Sequence, residues 1–84
     1  DRVAVFTMEQ ALARLRALLG LAGDWADLSA YLPPGWDETP EQRRSATAAT
    51  FAASLELVKQ GALEVRQDAM FAPILIRPRG ARDG

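Results

Sequence analysis

Residues 50–76 read TFAASLELVKQGALEVRQDAMFAPILI, and this run constrains the fold more than any other part of the chain. An apolar helical period runs up to Gly61 and gives way to period-two alternation in Leu63-Glu64-Val65-Arg66-Gln67. A helix must therefore stop at the glycine, and a strand wet on one face must begin just after it. Residues 68–71 supply a turn, and Ile74-Leu75-Ile76-Arg77 is the returning strand. Pro73 and Pro78 bracket that strand, an arrangement tolerated mainly at strand ends and sheet edges. A helix joined to a hairpin has too little surface to bury itself, so the upstream residues must cover it.

The upstream pattern supplies the cover. Residues 2–6 alternate Val3 and Val5 with Ala4 and end at Phe6, which suits a short first strand. Thr7 stands three residues before Gln10, the spacing of a capping box, and opens a first helix. In that helix Met8, Ala11, Leu12, Leu15, Leu18 and Leu19 form one buried stripe, Glu9, Arg14 and Arg16 stay wet, and Gly20 ends it in a left-handed cap. Asp24 caps a second helix through Leu32, with Trp25, Leu28, Tyr31 and Leu32 at three- and four-residue spacing until Pro33 and Pro34 stop it. Thr39, Pro40 and Gln42 repeat the helix-start chemistry and open a third helix over residues 40–60. Strand, three helices and a two-stranded wing make an α+β chain of the winged-helix type. Residues 1–78 are expected to form a single winged-helix domain and 79–84 a flexible C-terminal tail. The chain opens on Asp1 rather than Met and is expected to be a piece of a longer protein.

Composition excludes several uses of such a domain. Ten basic residues against eleven acidic ones leave a net charge of −1, which offers no general attraction for a phosphate backbone or an anionic membrane. With no Cys there is neither a disulfide framework nor a thiolate metal site, a composition that fits a cytoplasmic setting. With no His either, Ser29, Ser45 and Ser54 lack an imidazole partner. The close acids Asp24 with Asp27 and Glu38 with Glu41 sit at expected helix starts, where they favour the macrodipole. No phosphate-binding glycine loop and no metal-ligand spacing occurs, so the expectation is a non-enzyme with no metal.

A winged helix that reads DNA exposes Arg, Lys, Asn or Gln on its third helix. Between Ala46 and Val58 this one offers only Thr47, Thr50, Ser54 and Glu56 as polar residues. Its apolar surface exceeds one stripe: Phe51, Leu55 and Val58 share one side, whereas Ala46, Ala49, Ala53 and Leu57 share another. The helix is either sandwiched within the domain or meets a partner. Ile74, Leu75 and Ile76 add to the surplus, because consecutive strand residues cannot all face one core.

Phe51-Ala52-Ala53-Ser54-Leu55-Glu56-Leu57-Val58-Lys59-Gln60-Gly61, then Gln67-Asp68 and Phe71-Ala72-Pro73-Ile74, resembles the C-terminal winged-helix domain of the ScpA family, the bacterial kleisins. It departs from the family pattern at Ala53 and Ser54, where larger aliphatics are common, and at Ala72-Pro73, where Gly followed by an acid is frequent. The resemblance implies a non-catalytic subunit that bridges the two ATPase heads of an SMC dimer in chromosome condensation and segregation. This domain would dock on one head, and ScpB would bind parts of the full-length chain not present here. It further implies a cytoplasmic, nucleoid-associated protein with no cofactor and with ATP hydrolysed by its partner; the charge balance and the lack of a spanning apolar run add the expectation of no direct nucleic-acid contact and no membrane.

On that footing, the expected SMC-head interface comprises Phe51, Leu55, Val58, Phe71, Ile74, Leu75 and Ile76. Phe51 and Leu55 would be the anchors, and an SMC strand would add to residues 74–77. The alternative is a DNA-binding winged-helix transcriptional regulator with Arg43, Arg44, Lys59, Arg66 and Arg77 on phosphates. A third reading is self-association through the same apolar edge.

Overall fold

A computed structural model of the chain describes residues 5–20 and 23–79. It contains two α-helices, α1 (Met8–Leu19) and α2 (Pro40–Lys59). Three strands, β1 (Ala26–Asp27), β2 (Leu63–Arg66) and β3 (Leu75–Pro78), form an antiparallel sheet in the order β1-β3-β2. A 3-10 turn, Leu28–Tyr31, follows β1 directly. The chain is thus α+β, and its element order is compatible with a winged helix.

Both helix starts are built as their sequence spacing indicates. Thr7 Oγ1 accepts from Gln10 N–H at 3.1 Å while Gln10 Oε1 accepts from Thr7 N–H at 2.9 Å. Thr39 and Gln42 repeat the exchange at 3.1 and 3.2 Å, with Pro40 at the first helical position. Each capping box satisfies backbone donors that a bare helix end leaves unpaired. At the far end of α2, Gly61 takes φ +80°, Gly61 N–H donates to Val58 O, and Ala62 N–H donates to Leu57 O, each at 2.9 Å. That pair of bonds is a Schellman closure and needs a residue at ease in the left-handed region. Gly20 differs from expectation: its φ of −62° and ψ of −19° are right-handed, so α1 ends without a left-handed cap.

The second helix expected over residues 24–32 is replaced by β1 and the 3-10 turn. Ala26 pairs with Ile76 and Asp27 with Leu75, and Leu28 N–H reaches Ile74 O at 2.7 Å. Pairing with β3 outweighs the helical propensity of a short stretch already cut off by Pro33 and Pro34. Asp27, not Asp24, provides the cap, its Oδ1 accepting from Ser29 N–H at 2.9 Å. Leu28 and Tyr31, three residues apart, fall on one side of a three-residue turn and are both buried, which explains why their spacing imitates an α-helix.

The expected first strand over residues 2–6 does not appear where the chain is described. Arg2, Val3 and Ala4 lie outside the described residues, and Val5 and Phe6 belong to no strand. Phe6 is instead a core residue, its N–H donating to Ser45 Oγ at 3.1 Å and its ring tilted against Trp36 at 5.3 Å. Arg14 also departs from its wet role: its guanidinium donates to Tyr31 O at 3.0 Å and Leu32 O at 3.4 Å, tying α1 to the turn. Of the expected tail, Arg79 still donates to Ala62 O at 3.0 Å, and residues 80–84 lie outside the described part.

The core lies where α1 meets α2 and the inner face of the sheet. Ala11 and Leu15 of α1 face Ala46, Ala49, Thr50, Ala53, Ser54 and Leu57 of α2, and Leu63 and Ile76 close the sheet side. Ser54 Oγ–H donates to Phe51 O at 2.6 Å, so this buried hydroxyl is satisfied within its own helix.

β3 is the central strand, which corrects the expectation that residues 74–77 form a free edge. Residues of β3 opposite β1 and β2 alternate in which neighbour they bond. Arg79 bonds Ala62 on the β2 side and Ile74 bonds Leu28 on the β1 side, so the N of Pro78 points toward β1. β1 has ended before that point, so the missing N–H of Pro78 leaves no ladder bond broken.

Apart from Leu57, the buried face of α2 carries side chains no larger than threonine, so filling it should cost more than filling the solvent side of the same helix. Ala53→Leu, at a position with no exposure, should lower the unfolding free energy by about 1–3 kcal/mol. Ala52→Leu, on the exposed side, should stay within about 0.5 kcal/mol of wild type. Urea titration followed by circular dichroism measures both.

Candidate protein-docking surface

The helix α2 carries its small residues inward and its large apolar ones outward. Ala46, Ala53 and Ser54 are 0 % exposed, whereas Phe51, Leu55 and Val58 are 36, 47 and 38 % exposed. Their spacing of four and three residues puts the latter on one stripe, which the described residues cover only in part, leaving a third to a half of each side chain in solvent.

At its N-terminal end the stripe runs into an open hollow of about 600 Å³ between α2 and the β1–β3 side of the sheet. Phe51, Ala48 and Thr47 form one wall and Leu28 and Ile74 the other, with Arg43 and Arg44 along the rim. Arg43, Thr47, Leu28 and Ile74 also border a second hollow lined by Asp27, Ser29, Leu32 and Ala72, so the groove continues beside the 3-10 turn toward Ala72.

Only part of the expected interface converges here. Phe51 and Ile74 line the same hollow, and Leu55 and Val58 continue it along α2. Ile76 is 0 % exposed and belongs to the core, because its side chain faces the helices with Val65 and Ala26 beside it in register. Leu75, one residue earlier, faces the opposite side of the sheet and is half-buried there. The three consecutive aliphatics therefore split as the alternation demands: Ile74 and Ile76 inward, Leu75 outward.

Thr47, Ala48 and Leu28 were not anticipated as lining residues. Thr47 and Ala48 precede Phe51 by four and three positions, so extending the Phe51–Leu55–Val58 period one turn back would have found them. Leu28 reaches the hollow only through the pairing of β1 with β3, which no local pattern reveals.

Phe71 stands apart at the wing tip. It is 93 % exposed, its neighbour Met70 is 82 % exposed, and its backbone lies in the left-handed region at φ 67°. That region is unfavourable for a bulky side chain. Gln67 Nε2 holds the turn by donating to Ala72 O at 2.8 Å, and Ala72 N–H donates to Ala69 O at 3.0 Å.

The outer face of the sheet is polar and internally paired. Arg77 binds Glu64 through two nitrogens, the Nε bond measuring 3.1 Å, and Arg66 pairs with Asp68 at 3.2 Å. Both guanidinium groups also lie over the Trp25 ring, at 4.6 Å for Arg66 and 4.5 Å for Arg77. Two of the five cations that a DNA-binding reading would use are thus engaged on the sheet face turned away from α2, and the five do not form one basic surface. Among the described residues, no helix is long and apolar enough to cross a membrane.

A family model described as a conserved region of Rad21/Rec8-like proteins matches residues 37–81, more than half the chain. The chain belongs to the Rad21/Rec8-like family. The matched region takes in α2, β2 and β3 whole, the elements on which the resemblance to a kleisin rests, so this is a kleisin-type domain. Kleisins are non-catalytic, generally bind SMC proteins, and are tied to chromosome segregation and condensation. No curated protein matches the chain.

In this kleisin domain the strain at Phe71 should be separable from folding. Phe71→Gly removes a side chain that is almost wholly in solvent and a Cβ that disfavours the left-handed region. It should raise the unfolding free energy by about 0.5–1 kcal/mol, read as an increase in Tm. An unchanged or lower Tm would show that the ring supports the turn.

Proposed function

We propose that this domain is the C-terminal winged-helix domain of a ScpA-type kleisin and docks on the ATPase head of an SMC protein. The observation that carries the reading is the inverted α2: large apolar side chains exposed, small ones buried, and a hollow continuous with the exposed stripe. An unpartnered apolar stripe of this kind on a small domain marks a protein interface. The element order supports a winged helix, with α2 in the place of the third helix, the 3-10 turn in place of the second, and β2–β3 as the wing.

Phe51, Leu55, Val58 and Ile74 form the centre of the proposed contact, and Phe71 at the wing tip is a further point of attachment. Ile76 holds the sheet to the helices, and Leu75 belongs to the opposite face. Since β3 is flanked on both sides, docking proceeds through the helix and groove rather than by strand addition to residues 74–77. In this reading the SMC head hydrolyses ATP and the domain supplies none of the chemistry. ScpB binds elsewhere in the full-length protein, and the assembly acts on the cytoplasmic nucleoid.

Leu55 tests the reading directly, because a side chain 47 % exposed can be charged without opening the core. Leu55→Arg should keep the circular dichroism spectrum and Tm of the wild type yet lose at least ~2 kcal/mol of head binding, a rise of roughly thirtyfold in Kd. Leu75→Ser, on the far side of the sheet, should bind within about threefold of wild type. A folded Leu55→Arg domain that binds the head normally removes α2 as the interface.

A further inference from the structure

The hollow beside Phe51 has an apolar interior and a rim that carries two cations; the adjoining hollow adds one acid, Asp27, whose Oδ1 already accepts from Ser29 N–H at 2.9 Å. Arg43 and Arg44 line the first hollow together with Leu28, Thr47, Ala48, Phe51 and Ile74. Neither guanidinium has a carboxylate within 4.0 Å or a hydrogen-bond acceptor among the described residues. Four of the described arginines are engaged by contrast. Arg14 donates to Tyr31 O and Leu32 O, Arg16 donates to Gln60 Oε1 at 2.7 Å, and Arg66 and Arg77 pair with Asp68 and Glu64.

The position of the two free arginines reinforces their charge. Both lie in the first turns of α2, where the partial positive charge of the helix N-terminus adds to theirs. The first-turn acid Glu41 and the loop acid Asp37 stand near in sequence, yet neither pairs with them. With a net charge of −1 over the whole chain, this is a local patch rather than part of a general basic field.

Apolar walls and a cationic rim together specify the chemistry of an occupant. We propose that the hollow receives a segment of the SMC head in which an aliphatic or aromatic side chain is accompanied by one or two carboxylates. The apolar side chain enters between Phe51 and Ile74, and the carboxylates meet Arg43 and Arg44. The planar guanidinium presents paired donors that match a carboxylate, and such bonds are shorter and stronger than neutral ones. The apolar stripe then supplies the desolvated centre of the contact, and the two arginines set its register and steer its approach. This assignment rests on the docking reading above and adds the charge character of the partner.

A duplex fits the same features less well. Its phosphates would have no use for the apolar walls, and the basic residues of the wing lie paired on the other face of the sheet.

The test measures head binding by this chain at about 50 mM and about 500 mM NaCl, a range over which exposed charge pairs are progressively screened. Wild type, the double variant Arg43→Glu with Arg44→Glu, and Leu55→Arg are compared, and a labelled DNA duplex is titrated at the lower salt. Both arginines are exposed and bond to nothing described, so the double variant should keep the wild-type circular dichroism and Tm. The expected result is at least a tenfold weaker head complex for the double variant at low salt, a wild-type affinity that falls with salt, and a variant affinity that hardly changes with it. No duplex binding should be seen. Loss of binding by Leu55→Arg with undiminished binding by the double variant overturns the charge assignment and leaves the docking reading intact. Undiminished binding by Leu55→Arg overturns both. Duplex binding by wild type that the double variant loses reassigns the two arginines to phosphate.

Discussion

The close approach of α1 and α2 governs the rest of the molecule. It is possible because α2 presents Ala46, Ala49, Thr50, Ala53 and Ser54 inward, leaving Leu57 as its one large buried side chain. A helix whose inner face is this small can sit close against its neighbour, where Ala11 and Leu15 are buried and Leu12, Leu18 and Leu19 pack around them. The consequence is felt on the opposite side of α2, since Phe51, Leu55 and Val58 have no room inside and must face out. The packing requirement and the candidate docking surface are two faces of one helix, set by a single distribution of side-chain sizes.

The sheet is arranged around the same helix. Leu63 and Ile76 reach the core from β2 and β3, and the Schellman closure at Gly61 turns the chain so that β2 can begin two residues later. β1 adds only two residues to the other side of β3, yet those residues bring Leu28 to the rim of the hollow. On the outer face, Trp25 lies under both Arg66 and Arg77, which links β1's flank to the wing without using the core. Such exposed pairs contribute little stability each, so their main effect is to occupy the cations of the wing.

Features that depend on neighbouring residues were legible in the sequence. Both capping boxes, the proline at the start of α2 and the glycine at its end are local chemistry and stand where their spacing puts them, and the β2–β3 hairpin does so with its second strand shifted one residue on, to Leu75–Pro78. Features that depend on distant pairing were not. β1 exists because residues 26 and 27 meet residues 76 and 75, and nothing within its own segment distinguishes that from a helix start. The same holds for the central place of β3, since prolines at both ends suggest an edge until the short reach of β1 is known. For the candidate surface, helical period identified Phe51, Leu55 and Val58 as one stripe but could not say which of two apolar stripes faced the core. Side-chain size decided that, through the depth of the α1–α2 contact.

Magnitudes indicate how much of an interface the α2 stripe can be by itself. Fully burying a large apolar side chain contributes about 1.5–3 kcal/mol, and the three stripe residues are already more than half covered. Covering what is left contributes roughly 2–4 kcal/mol, whereas association costs an estimated 4–15 kcal/mol in lost freedom. The stripe cannot hold a partner alone. In the proposed complex the hollow, the arginine rim and the wing tip would supply the rest, along a groove that runs from Phe51 toward Ala72 rather than ending at the helix. Phe71 fits the proposed division of labour: its left-handed backbone holds a ring 93 % exposed, and the proposed contact would give that ring a partner.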